Sequence, residues 1–117
     1  MWQIVFLPEV SDWLLGMDED TYRQIQAALA VLVEDGPSLG RPLVDTVAGS
    51  TLKNLKELRP GSSGNSEIRI LFIFDPRRRA IMLVAGDKSK NYVRWYRQNI
   101  PLAEARYALY LKGMEDD

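Results

Sequence analysis

The 117-residue sequence contains no cysteine and no histidine. The first absence excludes a disulfide scaffold, a thiolate metal site and a cysteine nucleophile. The second removes the usual neutral-pH general base, the Ser-His-Asp triad and nearly every transition-metal site, leaving carboxylate-bound Mg²⁺ or Ca²⁺ as the metals such a composition allows. Motifs of fixed spacing are missing too: there is no Walker lysine loop, no G-x-G-x-x-G and no acidic run shaped like a Ca²⁺ loop. Asp18-Glu19-Asp20 reads as helix capping rather than as a metal site. We therefore expect no metal and no cofactor, and any chemistry must run on Lys, Arg, Tyr or carboxylates. No apolar run approaches the ~20 residues needed to cross a bilayer. The run Trp2 to Leu7 stops at Pro8-Glu9 without a basic start or a cleavage signal. These features predict a soluble, cytoplasmic chain with no membrane partner. With 26% charged and 46% hydrophobic residues, residues 1–117 fit one globular domain with a modest core.

The net charge of −1 hides a segregation. Residues 1–48 carry a balance of −6, residues 49–112 a balance of +8, and the tail Glu115-Asp116-Asp117 returns the total to −1. Clustered Lys and Arg are the electrostatic footprint of a polyanion partner, because they neutralise phosphates and release counterions. A solvated basic face is the simpler alternative.

Along the chain, WQIVFL (2–7) predicts a short strand stopped by Pro8, which can open a helical turn over Glu9 to Leu15 that Gly16 ends. Asp18 is a good N-cap for a second helix. Its apolar positions Tyr22, Ile25, Leu29, Leu32 and Val33 recur at helical spacing before Gly36-Pro37. The two helices form a hairpin that lays one apolar face on a sheet. Residues 36–51 predict an irregular, partly packed connection. In TLKNLKELRP (51–60), leucine at every third position is helix-like, but the shortness and the flanking Gly49 and Pro60-Gly61 favour a strand with a bulge. A loop or hairpin is expected at 61–65. EIRILFIF (67–74) predicts a central strand covered on both faces, turning at Asp75 to Arg78 and returning over 79–85. A last helix is expected to start near Pro101 and end before Gly113.

Arg69 is the sharpest single signal, because a guanidinium inside an apolar strand must be paired or face an anion. One reading is a buried ion pair with Glu57 or Glu67; the other is a phosphate clamp, which suits the planar fork of arginine. Lys53, Lys56, Glu57 and Arg59 would place charges on both sides of a neighbouring strand, where a solvated edge is the plain explanation. The run from Asp87 to Arg97 interleaves Lys88, Lys90, Arg94 and Arg97 with Tyr92, Trp95 and Tyr96. Such a surface stacks bases while neutralising the backbone. Trp95 is expected to pack on the sheet, whereas Lys88, Lys90 and Tyr96 are expected to form a site.

The segments L-K-N-L-K-E-L-R (52–59), E-I-R-I-L-F-I-F (67–74) and A-G-D-K-S-K (85–90), followed by Tyr96 and P-L-A-E-A (101–105), resemble HigB-type toxins of the RelE/ParE superfamily, and more narrowly its phage-derived, Gp49-like branch. The similarity spans about residues 2–111, with its specific part within 53–96. It implies an α+β, RelE-like fold: an N-terminal strand and helical hairpin packed on a small antiparallel sheet of three or four strands, with a C-terminal helix. It also implies a type II toxin that cleaves mRNA, usually at the translating ribosome, and that is held inactive by a cognate antitoxin often bearing a helix-turn-helix domain. Carried over by position, the matches are Glu57, Arg59, Arg69, Lys88 and Lys90. The chain departs from relatives with G-F-K-K by having Gly86-Asp87-Lys88-Ser89, and from those that use a histidine by having none.

RNA can be cut without a metal by attack of its own 2′-OH on the adjacent phosphorus. On this reading Arg69 holds the phosphate and Lys53, Lys56 and Lys88 add positive charge. Tyr96 or a lysine acts as base, giving Arg69, Lys88, Tyr96 and Lys56 as catalytic candidates. Lys53, Arg59, Lys90, Tyr92 and Arg94 are the candidates for binding substrate. The antitoxin is expected to occupy or distort the basic face, while the acidic first 48 residues offer the helical hairpin and a sheet edge as a surface. Fold alone does not separate this reading from a non-enzymatic, ParE-like inhibitor of DNA gyrase, or from a binding module with a degenerate site.

Overall fold

The computed structural model describes residues 1–61 and 64–115. Ser62 and Ser63 of the expected loop, and Asp116 and Asp117 of the acidic tail, lie outside the described residues. The elements follow the order β1 (Gln3–Phe6), α1 (Pro8–Leu15), α2 (Glu19–Asp35), β2 (Val44–Thr46), β3 (Lys56–Leu58), β4 (Ile68–Asp75), β5 (Arg79–Asp87) and α3 (Tyr92–Glu115). The strands form one sheet in the order β1-β5-β4-β3-β2. The α+β expectation holds, with one difference in the sheet. It is five-stranded and mixed, because β1 joins the edge parallel to β5 while every other pairing is antiparallel.

The helical hairpin forms as its caps dictate. Pro8 sits at the start of α1. The Asp18 carboxylate accepts the Thr21 N–H at 3.0 Å and the Thr21 hydroxyl at 2.7 Å, satisfying one of the orphan donors of the first turn of α2. At the other end Gly36 adopts φ 56° and returns its N–H to the Leu32 carbonyl. A side chain there would be strained, and its Cβ would lie 2.3 Å from the Trp2 indole nitrogen.

The pleat of β4 explains its unbroken apolar run. Ile68, Ile70 and Phe72 face the layer of α1 and α2, packing with Val10, Leu14, Ile25, Ala28 and Leu32. Leu71 and Ile73 face α3, packing with Leu83, Ala103, Ile100 and Tyr107. Alternate residues of a strand point to opposite faces, so a strand covered on both needs apolar side chains at nearly every position. The exceptions on the α3 face are Arg69 and, at the end of the strand, Asp75, both buried; Asp75 is paired with Arg79 at 2.6 Å.

Three local expectations change. The irregular stretch 36–51 contains β2, and its far end is pinned to α3 by the Glu104 carboxylate, which accepts from the Ser50 hydroxyl at 2.8 Å and the Thr51 N–H at 2.6 Å. The strand in 51–60 shrinks to Lys56–Leu58. Leu52 and Leu55 precede it in a turn and pack toward α3, while Leu58 packs toward α2. The bulge sits instead in the β4–β5 pair, where Leu71 faces Val84 and Phe72 faces Met82, leaving Leu83 as the extra residue. Finally, α3 begins nine residues before Pro101. Asn91 is its cap: its side-chain oxygen accepts the Arg94 N–H at 3.0 Å. Pro101 forfeits one backbone bond, and the helix continues through it because Tyr96, Ile100, Ala103, Tyr107 and Tyr110 all pack on the sheet.

Candidate active site

Three polar side chains meet where the α3 face of the sheet runs under the first turns of α3. Glu57 of β3 is paired in register with Leu71. Two residues earlier on β4, and therefore on the same face, stands Arg69. Glu57 is 8% and Arg69 9% exposed. The Arg69 Nε lies 3.6 Å from Glu57 Oε1, and Nη1 donates to the Ile68 carbonyl at 2.8 Å. Of the two readings of Arg69, the ion pair is thus present, with Glu57 as partner. It is not a satisfied pair, however: among the described residues the buried Nε has no hydrogen-bond acceptor. An orphaned N–H in low dielectric is costly, and an acceptor oxygen arriving beside it would satisfy it.

From α3, Tyr96 Oη donates to Glu57, 2.7 Å from Oε2 and 3.1 Å from Oε1. Burial of the phenol, its bond to the Glu57 carboxylate and that negative charge push the Tyr96 pKa well above the usual tyrosine range, against a smaller opposing effect of Arg69. Tyr96, expected among the candidate bases, is therefore held protonated. The Lys88 ammonium sits 5.5 Å from the Tyr96 ring centre and 5.9 Å from that of Tyr92, a cation flanked by two aromatic rings at the mouth of the site. Its position is fixed by the segment that leaves β5. The Lys88 N–H bonds the Glu67 carbonyl, and Asp87 accepts from the N–H groups of Glu67 and Ser89 at 3.0 and 2.9 Å. Burial acts to raise the Asp87 pKa, but the bonds from Glu67 and Ser89 together with the charge of Lys90 outweigh it and the net direction is downward. The acid that departs from the G-F-K-K pattern thus anchors the loop carrying Lys88. Trp95 packs on the sheet as expected, against Gly86, where a Cβ would come within 2.5 Å of the indole nitrogen.

A groove of about 390 Å³ opens beside this constellation, with Asp45, Thr46, Val47 and Ala48 on one wall, Tyr92, Val93, Tyr96 and Ile100 on the other, and Glu57 between them. Tyr92 is 62% exposed, and Lys90, just before α3, and Arg94, in its first turn, are exposed nearby in sequence. Lys53 is exposed in the turn before β3. Arg59 is turned to Asp45 at 3.8 Å, and Asp45 is also held by Arg41 at 2.7 Å. Lys56 is the candidate that the fold separates from the rest. The pleat sends it to the face opposite Glu57, where its ammonium donates to Thr46 Oγ1 at 2.9 Å. The sequence reading missed Arg41 and Asp45 because they lie in the stretch taken as irregular. The V-D-T alternation at 44–46 was the signal available. Among the described residues no three His, Cys, Asp or Glu side chains come together as metal ligands, and no helix is long and apolar enough to cross a membrane.

A family profile described as "Phage derived protein Gp49-like (DUF891)" matches residues 12–108. Two proteins of Mycobacterium tuberculosis (strain ATCC 25618 / H37Rv) are similar. One, named "Putative toxin HigB2", is 55% identical over 107 residues, which is 92% of this chain and 53% of that protein. The other, named "Putative toxin HigB3", is 47% identical over 103 residues, 88% of each chain. The chain thus spans about half the length of the first relative and most of the second. No solved structure matches it significantly. The matched residues take in Glu57, Arg69, Lys88 and Tyr96, and the chain belongs to the phage-derived Gp49-like family of HigB-type toxins.

Proposed function

We propose that this chain is the toxin of a type II toxin-antitoxin pair and an endoribonuclease that cuts mRNA on the translating ribosome, in the cytoplasm, until a cognate antitoxin neutralises it. The observation that carries the reading is the constellation of buried Glu57 and Arg69 with half-buried Tyr96 beside an open groove, and Lys88 over the Tyr92 and Tyr96 rings that line it. The reaction needs no cofactor. The RNA 2′-oxygen attacks the adjacent phosphorus, the P–O5′ bond breaks, and the products are a 2′,3′-cyclic phosphate and a 5′-hydroxyl.

Two protons move in that step. Glu57 takes the proton of the 2′-OH, a role that falls to it because the phenol of Tyr96 is held protonated. Tyr96 then positions the carboxylate. Arg69, whose buried Nε–H has no acceptor among the described residues, sets positive charge beside Glu57 and stabilises the charge that develops on the phosphorane. Lys88 adds charge at the leaving oxygen and delivers its proton. Tyr92 stacks a base of the substrate, and Lys53, Lys90, Arg59 and Arg94 steer the backbone. With no group tuned like a histidine, rate comes from positioning, which a ribosome holding its mRNA supplies.

The test is a primer-extension map of an mRNA incubated with the protein, with and without translating ribosomes, alongside Glu57→Gln, Arg69→Lys and Lys88→Ala. Arg69→Lys keeps the charge beside Glu57, so loss of cutting in it reports on the fork rather than on folding. Cuts confined to the ribosome-containing reactions and lost in the variants support the reading. Their absence under all conditions, with gyrase inhibited instead, would replace it by the ParE-like alternative.

A further inference from the structure

The rim of the groove formed by β2 holds an arginine to which the proposed reaction gives no role. Asp45 of β2 stands opposite Glu57 of β3 in register. The Val47 N–H bonds the Leu55 carbonyl at 2.9 Å and the Arg59 N–H bonds the Leu43 carbonyl at 2.7 Å, so Asp45 and Glu57 form a bonded pair between them, with Cα atoms about 5.5 Å apart. Two carboxylates side by side on one face repel, and each has its own guanidinium. Glu57 has the buried Arg69. Asp45 has Arg41, whose side chain is 74% exposed. Arg41 Nε and Nη2 both donate to Asp45 Oδ2, at 3.1 and 2.7 Å, and Arg59 approaches the same oxygen at 3.8 Å. Asp45 Oδ1 accepts the Thr46 N–H at 2.9 Å. The carboxylate is thus held at both oxygens, and it fixes a fork whose remaining N–H groups face outward for a ligand. The bond and charge of Asp45, and then the charge of Glu57, raise the Arg41 pKa, so this guanidinium lies in the field of the candidate site.

We infer that Arg41 binds the phosphate of a nucleotide flanking the cut, with Asp45 as its positioning residue. The proposal rests on the RNA-cutting reading above. An exposed ion pair contributes little to folding, so the fold does not need this one. Asp45 alone would repel an RNA strand in the groove that it lines; Arg41 and Arg59 reverse the sign of that wall. The opposite wall carries Lys88 over the rings of Tyr92 and Tyr96, so a strand that passes Glu57 meets a cation on each side. The occupant is a nucleic acid rather than a peptide strand, because the edge of β2 has its donors tied off. Inward bonding by residues 43, 45 and 47 turns the amides of Val44 and Thr46 outward, and both are used: Val44 donates to the Gly40 carbonyl at 3.1 Å and Thr46 to Asp45. An added strand would find no amide there, whereas a polyanion needs only the exposed guanidinium.

The probe is a short single-stranded oligoribonucleotide methylated at every 2′-oxygen, which cannot supply the attacking group, titrated against the full chain by fluorescence anisotropy over a range of salt. Arg41→Ala is expected to bind it roughly 5–10-fold more weakly whatever its sequence, and the slope of log affinity against log salt should shrink by about 0.7. Its melting curve should be unchanged. Arg41→Lys should keep the wild-type slope but bind more weakly, having lost the fork. Arg23→Ala, which takes the same charge from an exposed pair with Glu19 on α2, is expected to bind as wild type. In the ribosome assay Arg41→Ala should raise KM by the same factor and leave kcat within about 2-fold. Wild-type affinity and slope in Arg41→Ala, equal losses in Arg41→Ala and Arg23→Ala, a fall in kcat without a rise in KM, or no binding of the probe by the wild type each overturns the proposal. So does a loss of binding by Arg41→Ala to the protein of the adjacent reading frame while its RNA affinity holds, because the rim would then serve a protein partner. Arg41-dependent binding without cutting sinks only the nuclease, and cutting with KM and binding indifferent to Arg41 sinks only this inference.

Discussion

Replacing Tyr96 by phenylalanine removes one oxygen and keeps the ring that packs against Trp95 at 5.2 Å and lies under Lys88. The oxygen lost is the donor to both carboxylate oxygens of Glu57. Glu57 is then left buried with the Arg69 Nε 3.6 Å away. A hydrogen bond to a charged group contributes about 1.5–3 kcal/mol. Tyr96 is only half-buried, so solvent screening brings the expected loss to about 1–2 kcal/mol. For a domain of this size that lowers the melting temperature by roughly 4–8 °C. The deficit carries a pH signature. The folded-state pKa of Tyr96 lies above its unfolded value near 10, so its contribution is fully present below pH 10. It is lost as the pH rises beyond that, because the unfolded phenol ionises while the folded one keeps its proton. Tyr107 is also raised, by burial and then by the charge of Asp75, but it is common to both proteins and cancels in the difference. Thermal or urea melts of both proteins at pH 8 and pH 11 check this. The gap should be present at pH 8 and should narrow by pH 11. Equal stabilities at pH 8, or an unchanged gap at pH 11, would refute the assignment of Tyr96 as the proton-holding partner of Glu57.

Arg69→Ala should destabilise by about 3–5 kcal/mol, because it strands Glu57 in a buried site; adding Glu57→Leu should restore much of that, and equilibrium denaturation of the single and double variants measures it. If Arg69→Ala costs under about 1 kcal/mol, the pair is not the buried unit described above. Lys88→Ala should fold normally yet cut at least roughly 10-fold more slowly in the ribosome assay, whereas Lys56→Ala, on the opposite sheet face, should cut within about 2-fold of wild type; a reversed order would discard the assigned faces. Gly86→Ala should cost about 1–3 kcal/mol in the same denaturation assay by driving a methyl into Trp95, and a neutral result would mean that α3 yields at that contact.

Local signals in the chain were read correctly where one short-range force dominates. Pro8, Gly16, the Asp18 cap and Gly36 bound the helical hairpin in sequence as they do in space. Arg69 was visible because a lone charge in an apolar strand demands a partner, and Glu57 was one of two candidates for it. Local reasoning failed where a distant contact decided. Pro101 carries a start signal, but α3 runs through it because side chains on both sides of the proline pack on the sheet. Leu52, Leu55 and Leu58 have helical spacing, but a turn splits them between two cores.

The sequence by itself determined the chemistry available: no thiol, no imidazole, an acidic first part and a basic second, and one arginine that cannot stand alone. Those are properties of composition and of near neighbours. Only the tertiary structure decided which charges meet. The pleat puts Glu57 and Arg69 on one face and Lys56 on the other, and α3 brings Tyr96 across 39 residues of chain to hold the carboxylate. Strand register and helix packing are set by burial on both sides of the sheet, and that burial is a sum over contacts far apart in the chain.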